Sequence, residues 1–436
     1  MRLFLIQPSQ ILDGGRVLKT QKLMFPRLSL PALASLTPPD IEIRIIDEHF
    51  EEIPYEGPVD LVGISFMTPQ APRAYQIGDE FRKRRKGVVM GGIHASALPE
   101  EALQHSDAVV IGEAEEVWPQ VLEDFKRKKV KGIYRAEGFP GLSGLPPPRY
   151  DLLKKERFRL WNVNFPVQAG RGCPFHCDFC SVTRFFGGQY RWRPVEEVVQ
   201  EILQKKVKGV FFVDDNIIGQ KAYARDLFRA LIPLKIRWGG QASLNIAKDE
   251  ELLHLAAESG CGILYIGIES ICAANLPSHG KSIFKGEEIS DHLEKIQNRG
   301  ILVRASIIFG MDQDNPDVFP NTVNFLKKSK VAYAEFFLLT PMPGTELRRR
   351  LEEEGRIIES DWSKYDGLHP VFRHRNMGAQ ALEEGLWGAY REFYSLPSIL
   401  KRCLKAQKAN RRWRTLLSNF YYRKLVFQRR HPLYGY

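Results

Sequence analysis

Short apolar runs rich in β-branched residues alternate with helix-like stretches along residues 1–135. The stretches 71–85 and 99–105 carry apolar residues at helical spacing between such runs. Alternation of strands and helices predicts a doubly wound, Rossmann-like parallel sheet. The predicted strands are 3–7, 41–47, 61–66, 88–91 and 108–112.

A second series of strands and helices follows a Pro- and Gly-rich segment that indicates a linker. Six apolar runs, each separated by room for one helix, predict a partial (β/α)6 barrel of the TIM type. The runs are 165–168, 210–213, 238–242, 264–268, 303–309 and 334–339. We therefore predict an α/β protein with a Rossmann-like domain at 1–138, a linker at 139–159, a barrel at 160–345 and a helical region at 346–436.

The loops that follow three strands of the first series are candidates for ligand binding. Sheets of this kind bind ligands beyond the carboxyl ends of their strands, and glycine lets the backbone approach a ligand closely. Tight turning after a strand explains these glycines equally well, so both interpretations stay open. The candidate residues are Ser65, Thr68, Gly91, Gly92, His94, Gly112 and Glu113.

The composition indicates a globular protein with free thiols. With 436 residues, 44% apolar and 26% charged, the chain has material for two or three domains. Six cysteines are too few for a disulfide framework, and no apolar stretch is long enough for a membrane span or a signal peptide. We predict a cytoplasmic protein, because thiols persist in a reducing compartment.

The net charge of +11 comes entirely from the end of the chain. Of the 63 Lys and Arg residues, 11 lie in 401–436, which contains no Asp or Glu, and the other 52 balance 52 acidic residues. A basic amphipathic helix is predicted there, with apolar residues Trp413, Leu416, Leu417, Phe420 and Tyr421. It either docks its apolar face on the barrel, lies on an anionic membrane surface or, least favoured, binds nucleic acid phosphates.

Three cysteines form the most specific motif of the chain. Cys173, Cys177 and Cys180 follow an apolar run at Cys-x3-Cys-x2-Cys spacing. Structural zinc sites and 4Fe–4S clusters both take four ligands, so three thiolates on a cluster leave one iron open for chemistry. A zinc knuckle completed by a distant histidine, or a structural disulfide, is the alternative.

This motif resembles that of the radical S-adenosylmethionine (SAM) superfamily. The resemblance implies a 4Fe–4S cluster on the three cysteines, SAM on the open iron, and reductive cleavage of SAM to a 5′-deoxyadenosyl radical. It also implies an electron donor of the flavodoxin or ferredoxin type. Polar residues at barrel strand ends match the SAM site of the family, although each alone is also explained as a capping or turn residue. They are Asp214 or Asp215 for the amino group, Glu269 and Ser270 for the ribose, and Ile308 and Gly310 for the adenine, with Gln241 and Ser243 closing the third strand.

Residues ahead of the barrel resemble the cobalamin-binding subgroup of that superfamily. The resemblance rests on residues 30–38, 60–65, 91–96, 99–102 and 111–115, and it implies cobalamin among the candidate loops. Some cobalamin proteins place a histidine on cobalt through Asp-x-His-x-x-Gly, whereas the segment that begins this way here, 47–52, ends in Glu. Residues 1–172 contain no cysteine, which argues against the methylthiotransferases of the superfamily.

These observations together predict a cobalamin-dependent radical SAM enzyme. Its expected reaction is methylation of an unactivated carbon of a small-molecule substrate, such as a lipid or a natural product. One alternative is a radical SAM cyclase or oxidase without methyl transfer. The other is a non-catalytic iron–sulfur protein that binds nucleic acid through its tail.

Overall fold

A computed structural model of the chain describes residues 1–20, 27–158, 165–272, 275, 286–405 and 409–431, and the side chains of these except 404, 405 and 409–411. The described residues form two parallel sheets, one small ribbon and a set of helices that follows the second sheet.

The first sheet confirms the predicted doubly wound architecture. Its strands are β1 (Arg2–Gln7), β2 (Glu42–Asp47), β3 (Leu61–Ser65), β4 (Gly87–Gly91), β5 (Ala108–Ile111) and β6 (Gly132–Arg135), and its helices are α1 (Ser29–Ser35), α2 (Ala71–Lys83), α3 (Ile93–Ala97), α4 (Pro99–Gln104) and α5 (Trp118–Lys126). The strand order is β2-β1-β3-β4-β5-β6, all parallel. Because β1 lies between β2 and β3, the winding direction reverses there and leaves a crevice beyond the carboxyl ends of β1 and β3. The sequence did not indicate β6.

The second sheet is the predicted partial barrel. Its strands are β7 (Phe165–Val167), β10 (Gly209–Phe212), β11 (Arg237–Ser243), β12 (Cys261–Glu269), β13 (Leu302–Phe309) and β14 (Tyr333–Leu338), and a ribbon of β8 (Gly170–Arg171) and β9 (Arg191–Trp192) stands apart. The helices are α6 (Ser181–Phe186), α7 (Val195–Lys205), α8 (Lys221–Leu231), α9 (Glu250–Glu258), α10 (Gly286–Asn298) and α11 (Val318–Lys328). The six strands are parallel, pair in chain order, and leave β7 and β14 as edges.

Two buried tyrosines cover the backbone of the edge strand β14. The C-terminal region consists of α12 (Glu346–Glu353), α13 (Ala379–Phe393), α14 (Leu396–Lys405) and α15 (Ala409–Phe427). The Tyr390 hydroxyl accepts from the Phe336 N–H at 2.9 Å, and the Tyr394 hydroxyl donates to the Ala334 carbonyl at 2.9 Å. An uncovered strand edge would expose unpaired backbone groups, so these hydroxyls complete the sheet.

The basic C-terminal helix docks on the barrel, but through a face that the sequence did not indicate. Asn419 and Tyr422 are buried, and the amide of Asn419 donates to the Ala332 carbonyl at 3.3 Å. The Arg304 guanidinium donates to the Tyr422 hydroxyl at 2.7 Å. Of the three alternatives for the tail, docking through the apolar stripe of α15 is not what the structure shows, since most of that stripe faces away, with Trp413 70% exposed.

The predicted domain limits stay predictions, although the strands of the two sheets lie within 1–138 and 160–345. No helix in the described part of the chain is both long and apolar enough to cross a bilayer.

Candidate active site

The cysteine loop starts where β7 ends and is shaped by the ribbon of β8 and β9. Gly172 has a φ of +85°, a conformation that favours glycine, and a Cβ atom there would collide with the carbonyl oxygen of Gln189. This turn carries Cys173 to the carboxyl end of the barrel sheet.

The three motif cysteines lie at different depths in the protein. Cys177 is 7% exposed, whereas Cys173 and Cys180 are half-buried. The Cys180 N–H donates to the Cys177 carbonyl at 3.1 Å, and α6 begins at the next residue. Over the described residues, no three His, Cys, Asp or Glu side chains converge closely enough to hold one metal ion. A 4Fe–4S cluster takes its thiolates on separate irons, so the three sulfurs need not converge.

Asp214 anchors the start of the cysteine loop. It is 1% exposed, and its carboxylate accepts from the N–H groups of Ala169 (3.0 Å) and Gly170 and from the Tyr190 hydroxyl (3.0 Å). Burial raises the pKa of Asp214 to about 7 against the opposing effect of these donors. The Asp214 carboxylate thus binds the backbone of the cysteine loop. The resemblance had implied that Asp214 or Asp215 binds the amino group of SAM.

Asp215 also faces the loop, with fewer protein contacts. One of its oxygens accepts from the Gly172 N–H at 3.1 Å, and burial raises its pKa to about 6. Of the two aspartates, Asp215 is half-buried and therefore the better placed for a ligand. Its role at the SAM amino group stays a prediction.

Asn216 is a site residue that the predicted set did not include. Its amide nitrogen lies 3.8 Å from the Cys173 sulfur, and its amide oxygen accepts from the Ser243 N–H at 3.2 Å. Hydrogen bonds to cluster sulfurs change the reduction potential of a cluster. Its position directly after two strand-end aspartates was the only signal in the sequence.

The other predicted SAM residues lie on neighbouring strands of the sheet. Register pairs Gln241 with Tyr265 and Ser243 with Gly267, and the pairing shifts before Glu269. Glu269 is buried with a φ of +64°, an uncommon conformation outside glycine that is found at functional sites.

Ser270, Ile308 and Gly310 complete the predicted SAM set, and none of them is exposed. The Ser270 hydroxyl accepts from the Cys272 N–H at 3.0 Å, which makes it a turn residue in this structure. Gly310 has a φ of +87°, and its N–H donates to Asp314 at 2.9 Å.

A cavity of about 500 Å³ lies beyond the strand ends of the first sheet. Five of the seven predicted loop residues line it: Ser65, Gly91, Gly92, Gly112 and Glu113. Apolar side chains form a further part of its wall, among them Leu33 of α1 and Trp118 of α5. Gln168 and Arg171 enter from the cysteine loop. Gly92 has a φ of +96°, and a Cβ atom there would come within 2.7 Å of the Phe66 carbonyl oxygen.

Thr68 and His94 do not line this cavity, in contrast to the prediction. His94 is fully buried, and its ring nitrogens lie 3.2 Å from the Thr68 hydroxyl and 3.1 Å from the Tyr75 hydroxyl. Glu101 lies 3.5 Å from the second nitrogen. These contacts satisfy both nitrogens inside the domain, so the structure gives His94 and Thr68 a structural role.

Comparison with known proteins identifies the family. Residues 167–326 match the model of the radical SAM superfamily, and residues 35–122 match that of the B12 binding domain. The chain is 33% identical to the bacteriochlorophyllide d C-8(2)-methyltransferase of Chlorobaculum tepidum, over 88% of each chain. It belongs to the cobalamin-binding radical SAM enzymes.

Two further comparisons extend this assignment. The bacteriochlorophyllide d C-12(1)-methyltransferase of Chlorobaculum tepidum is 30% identical over 96% of this chain and 92% of its own. The radical SAM methyltransferase TsrM from Kitasatospora setae, solved with cobalamin and a [4Fe-4S] cluster, shares the fold with a TM-score of 0.67 at 14% identity, over 98% of this chain and 99% of that one. The cofactors of the family are therefore a 4Fe–4S cluster, SAM and cobalamin, and the named activity of these relatives is methyl transfer.

The residues present fit these cofactors. Three thiols on one loop, with the Asn216 amide near one of them, form a donor set suited to a cluster that keeps an open iron. The cavity combines an apolar wall with glycine backbone at the strand ends, which suits a large corrinoid. The alternatives of a zinc knuckle or a disulfide are not supported by the family.

Buried ion pairs join the cavity to the cysteine loop. Glu113 contacts Arg171 at 3.1 Å and Arg191 at 2.8 Å, and Glu115 contacts Arg171 at 2.6 Å. The glutamates follow β5 of the first sheet, while the arginines lie on the ribbon of the barrel domain. Glu113, predicted to bind cofactor, thus also fixes the two domains against each other.

Arg304 lies inside the barrel with a protein partner. It is buried, contacts Glu335 at 2.5 Å, and its guanidinium lies about 5 Å from the ring centroids of Tyr265 (4.9 Å), Tyr333 (4.8 Å) and Tyr422 (5.1 Å). A buried arginine needs such a carboxylate, so the pair is structural in this structure.

Proposed function

We propose that this protein is a cobalamin-dependent radical SAM C-methyltransferase that acts on a large, mainly apolar small molecule. The observation that carries the proposal is that the cavity and the cysteine loop share walls. Gln168 and Arg171, which lead into the motif cysteines, line the cavity together with the strand-end residues Ser65, Gly91 and Gly112. These shared residues support two adjacent cofactor sites, as a reaction that uses both cofactors requires.

Each site would contribute one part of the reaction. Cys173, Cys177 and Cys180 would hold the cluster, and Asp215, Gln241, Ser243 and Glu269 are the polar candidates for SAM. When bound, the cluster supplies the electron that cleaves SAM, and the corrinoid supplies the methyl group. The acceptor carbon would exchange a C–H bond for a carbon–methyl bond. The hydrogen would leave in 5′-deoxyadenosine, and a second SAM, left as S-adenosylhomocysteine, would be the source of the methyl group.

The substrate proposal rests on the inner face of the barrel and on the relatives. Residues paired in register on neighbouring parallel strands share a face, so Tyr265 lies on the face of Gln241, and Phe337 on the face of Ile308. This face carries aromatic and aliphatic side chains beside polar ones, among them Gln241 and the Arg304–Glu335 ion pair. Both methyltransferase relatives are named for bacteriochlorophyllide d, a tetrapyrrole, and we propose a tetrapyrrole or a comparably large ring lipid.

The proposal also includes the electron donor, the cellular compartment and the membrane contact of the enzyme. The reaction needs two electrons from outside for each methyl group transferred, for which we expect a flavodoxin- or ferredoxin-type donor in the reducing cytoplasm. Peripheral membrane contact through residues 401–436 would bring the enzyme to an apolar substrate, and nucleic acid is not an expected partner.

The first test is a cofactor inventory of anaerobically purified full-length protein, expressed with cobalamin available. Iron, sulfide, zinc and corrinoid would be measured per chain, and we expect about four irons with one corrinoid. About four irons with no corrinoid would contradict methyl transfer while leaving the radical SAM assignment intact.

The second test measures turnover with methyl-deuterated SAM and a panel of tetrapyrroles and polycyclic isoprenoids. We expect a labelled product together with both 5′-deoxyadenosine and S-adenosylhomocysteine. A cyclised or oxidised product that forms without S-adenosylhomocysteine would instead support the cyclase or oxidase alternative. Reactions without acceptor give the background of uncoupled SAM cleavage.

A further inference from the structure

Helix α15 presents two faces with different partners. Residues 415, 419, 422 and 426 recur at helical spacing and are buried against the barrel domain. Asn419 reaches the Ala332 carbonyl, and Tyr422 packs edge-on against Tyr333 at 5.7 Å between ring centroids. This inner face is therefore fully occupied by the protein itself.

The opposite face of α15 carries large side chains that remain in water. Trp413, Leu417, Phe420 and Lys424 recur at the same spacing, half a turn away from the inner face. Trp413 is 70% exposed and Leu417 65%, and Phe420 is also exposed. We call Trp413, Leu417, Phe420, Tyr421 and Lys424 the outer face of α15.

The outer face is apolar and cationic at once. Arg412 and Arg414 are exposed at the start of the helix, and Lys424 lies near its end. The whole segment 401–436 contains 11 Lys and Arg and no acidic residue, so nothing within it neutralises this charge. Helix α14, which packs on α15, also has two exposed leucines, Leu396 and Leu400.

We propose that the outer face of α15 is a docking surface for an anionic lipid bilayer. Large exposed apolar side chains rimmed by basic ones fit the boundary between lipid headgroups and acyl chains, where tryptophan and tyrosine are favoured. Phosphate backbones of nucleic acids would use the charges but leave Trp413 and Leu417 in water. The anionic bilayer is the partner that engages both properties of the face.

This docking surface does not depend on the proposed methyl transfer. The inner face fixes the orientation of α15 on the barrel, so the outer face would hold the barrel domain at the membrane in one orientation. Vesicle binding is measured without turnover, and SAM cleavage is measured without vesicles. Failure of one of these measurements therefore leaves the other interpretable.

The test is co-sedimentation of full-length holoenzyme with vesicles of phosphatidylcholine, either alone or with one third phosphatidylserine. We expect binding to the anionic vesicles at low salt and its loss at high salt. The double variant Trp413→Gln and Leu417→Gln should weaken this binding at least tenfold. Leu203→Gln on α7, where the leucine is 50% exposed, is the matched control and should bind like the wild type.

Two results would overturn the proposal. The first is a wild-type protein that ignores anionic vesicles at low salt, or binds them as well after the double substitution. The second is tight binding of an RNA or DNA duplex that Arg414→Gln with Lys424→Gln abolishes and the apolar double variant leaves unchanged. Circular dichroism together with iron and corrinoid content shows whether the variants keep the fold. We expect them to keep it, because the substituted side chains point away from the barrel.

Discussion

The substitution Asp214→Asn tests whether the buried carboxylate holds the cysteine loop. An amide offers one oxygen instead of two, so at least one of the N–H groups of Ala169 and Gly170 would face an NH2 group. A hydrogen bond to a charged acceptor contributes about 1.5–3 kcal/mol, and a buried N–H left unpaired costs about 1–3 kcal/mol. Because burial raises the pKa of Asp214 to about 7, a neutral amide also avoids part of a desolvation cost.

These opposing effects give an expected local destabilisation of about 2–4 kcal/mol, or roughly thirtyfold to a thousandfold in the equilibrium between the ordered and the open loop. The assay is iron and sulfide per chain after anaerobic reconstitution, together with hydrogen exchange of the backbone at 169–172. We expect a clear loss of iron and faster exchange in this segment, with the first sheet unaffected.

Two matched variants distinguish the effect of the Asp214 carboxylate from the effects of neighbouring groups. Asp215→Asn can keep its contact to the Gly172 N–H through the amide oxygen, so its iron content should stay near that of the wild type. Tyr190→Phe removes only the hydroxyl that donates to Asp214 and should cost about 1 kcal/mol. Wild-type iron content and exchange in Asp214→Asn would refute the argument that this carboxylate holds the loop.

Three further substitutions test the cluster, the barrel interior and the cavity. Cys177→Ala should lose iron, the cluster absorption near roughly 400 nm and SAM cleavage, whereas Cys403→Ala, outside the motif, should keep all three. Glu335→Ala leaves the charge of Arg304 buried without its partner and should lower the free energy of unfolding by about 3–5 kcal/mol in denaturant titration; a loss below about 1 kcal/mol would show that water or another group replaces the carboxylate. Leu33→Trp should fill part of the cavity and reduce corrinoid content at unchanged iron, and equal losses of both cofactors would point to general unfolding instead.

Hydrogen bonds from the C-terminal region to the edge of the barrel sheet make this region part of the barrel domain. Six strands leave β14 with an unpaired edge, and the hydroxyls of Tyr390 in α13 and of Tyr394 just after it bond to that edge. Arg402 donates to the carbonyls of Val331 and Ala332 just before this strand, at 3.0 and 2.9 Å. Removing residues 401–436 should therefore destabilise the barrel domain as well as delete a surface.

Much of the fold and the core of the site follow from short-range sequence. A buried parallel strand needs a run of apolar residues, as in 61–66, and a helix between strands needs apolar residues at its own spacing. The cysteine motif is equally local, because three ligands for one cluster lie within eight residues. These features require no knowledge of which strands are neighbours.

Other roles depend on contacts between distant residues. Asp214 holds Ala169 and Gly170, 45 and 44 positions earlier, only because β7 and β10 are neighbours. His94 looks like a loop ligand in the sequence, yet Tyr75 and Thr68 satisfy its nitrogens after folding. Arg304 and its partner Glu335 are 31 positions apart in the sequence, and they meet only because β13 and β14 are neighbours.

The C-terminal helix α15 shows most clearly which properties follow from the sequence and which depend on tertiary contacts. The sequence by itself determined that α15 is helical, basic and apolar along one stripe, since those properties depend on spacing and composition alone. Only the tertiary structure decided which face docks. The barrel presents backbone carbonyls before β14 and a buried guanidinium at that place, so the polar groups of Asn419 and Tyr422 pair there. Buried polar groups must find partners, and that requirement turned the apolar stripe outward.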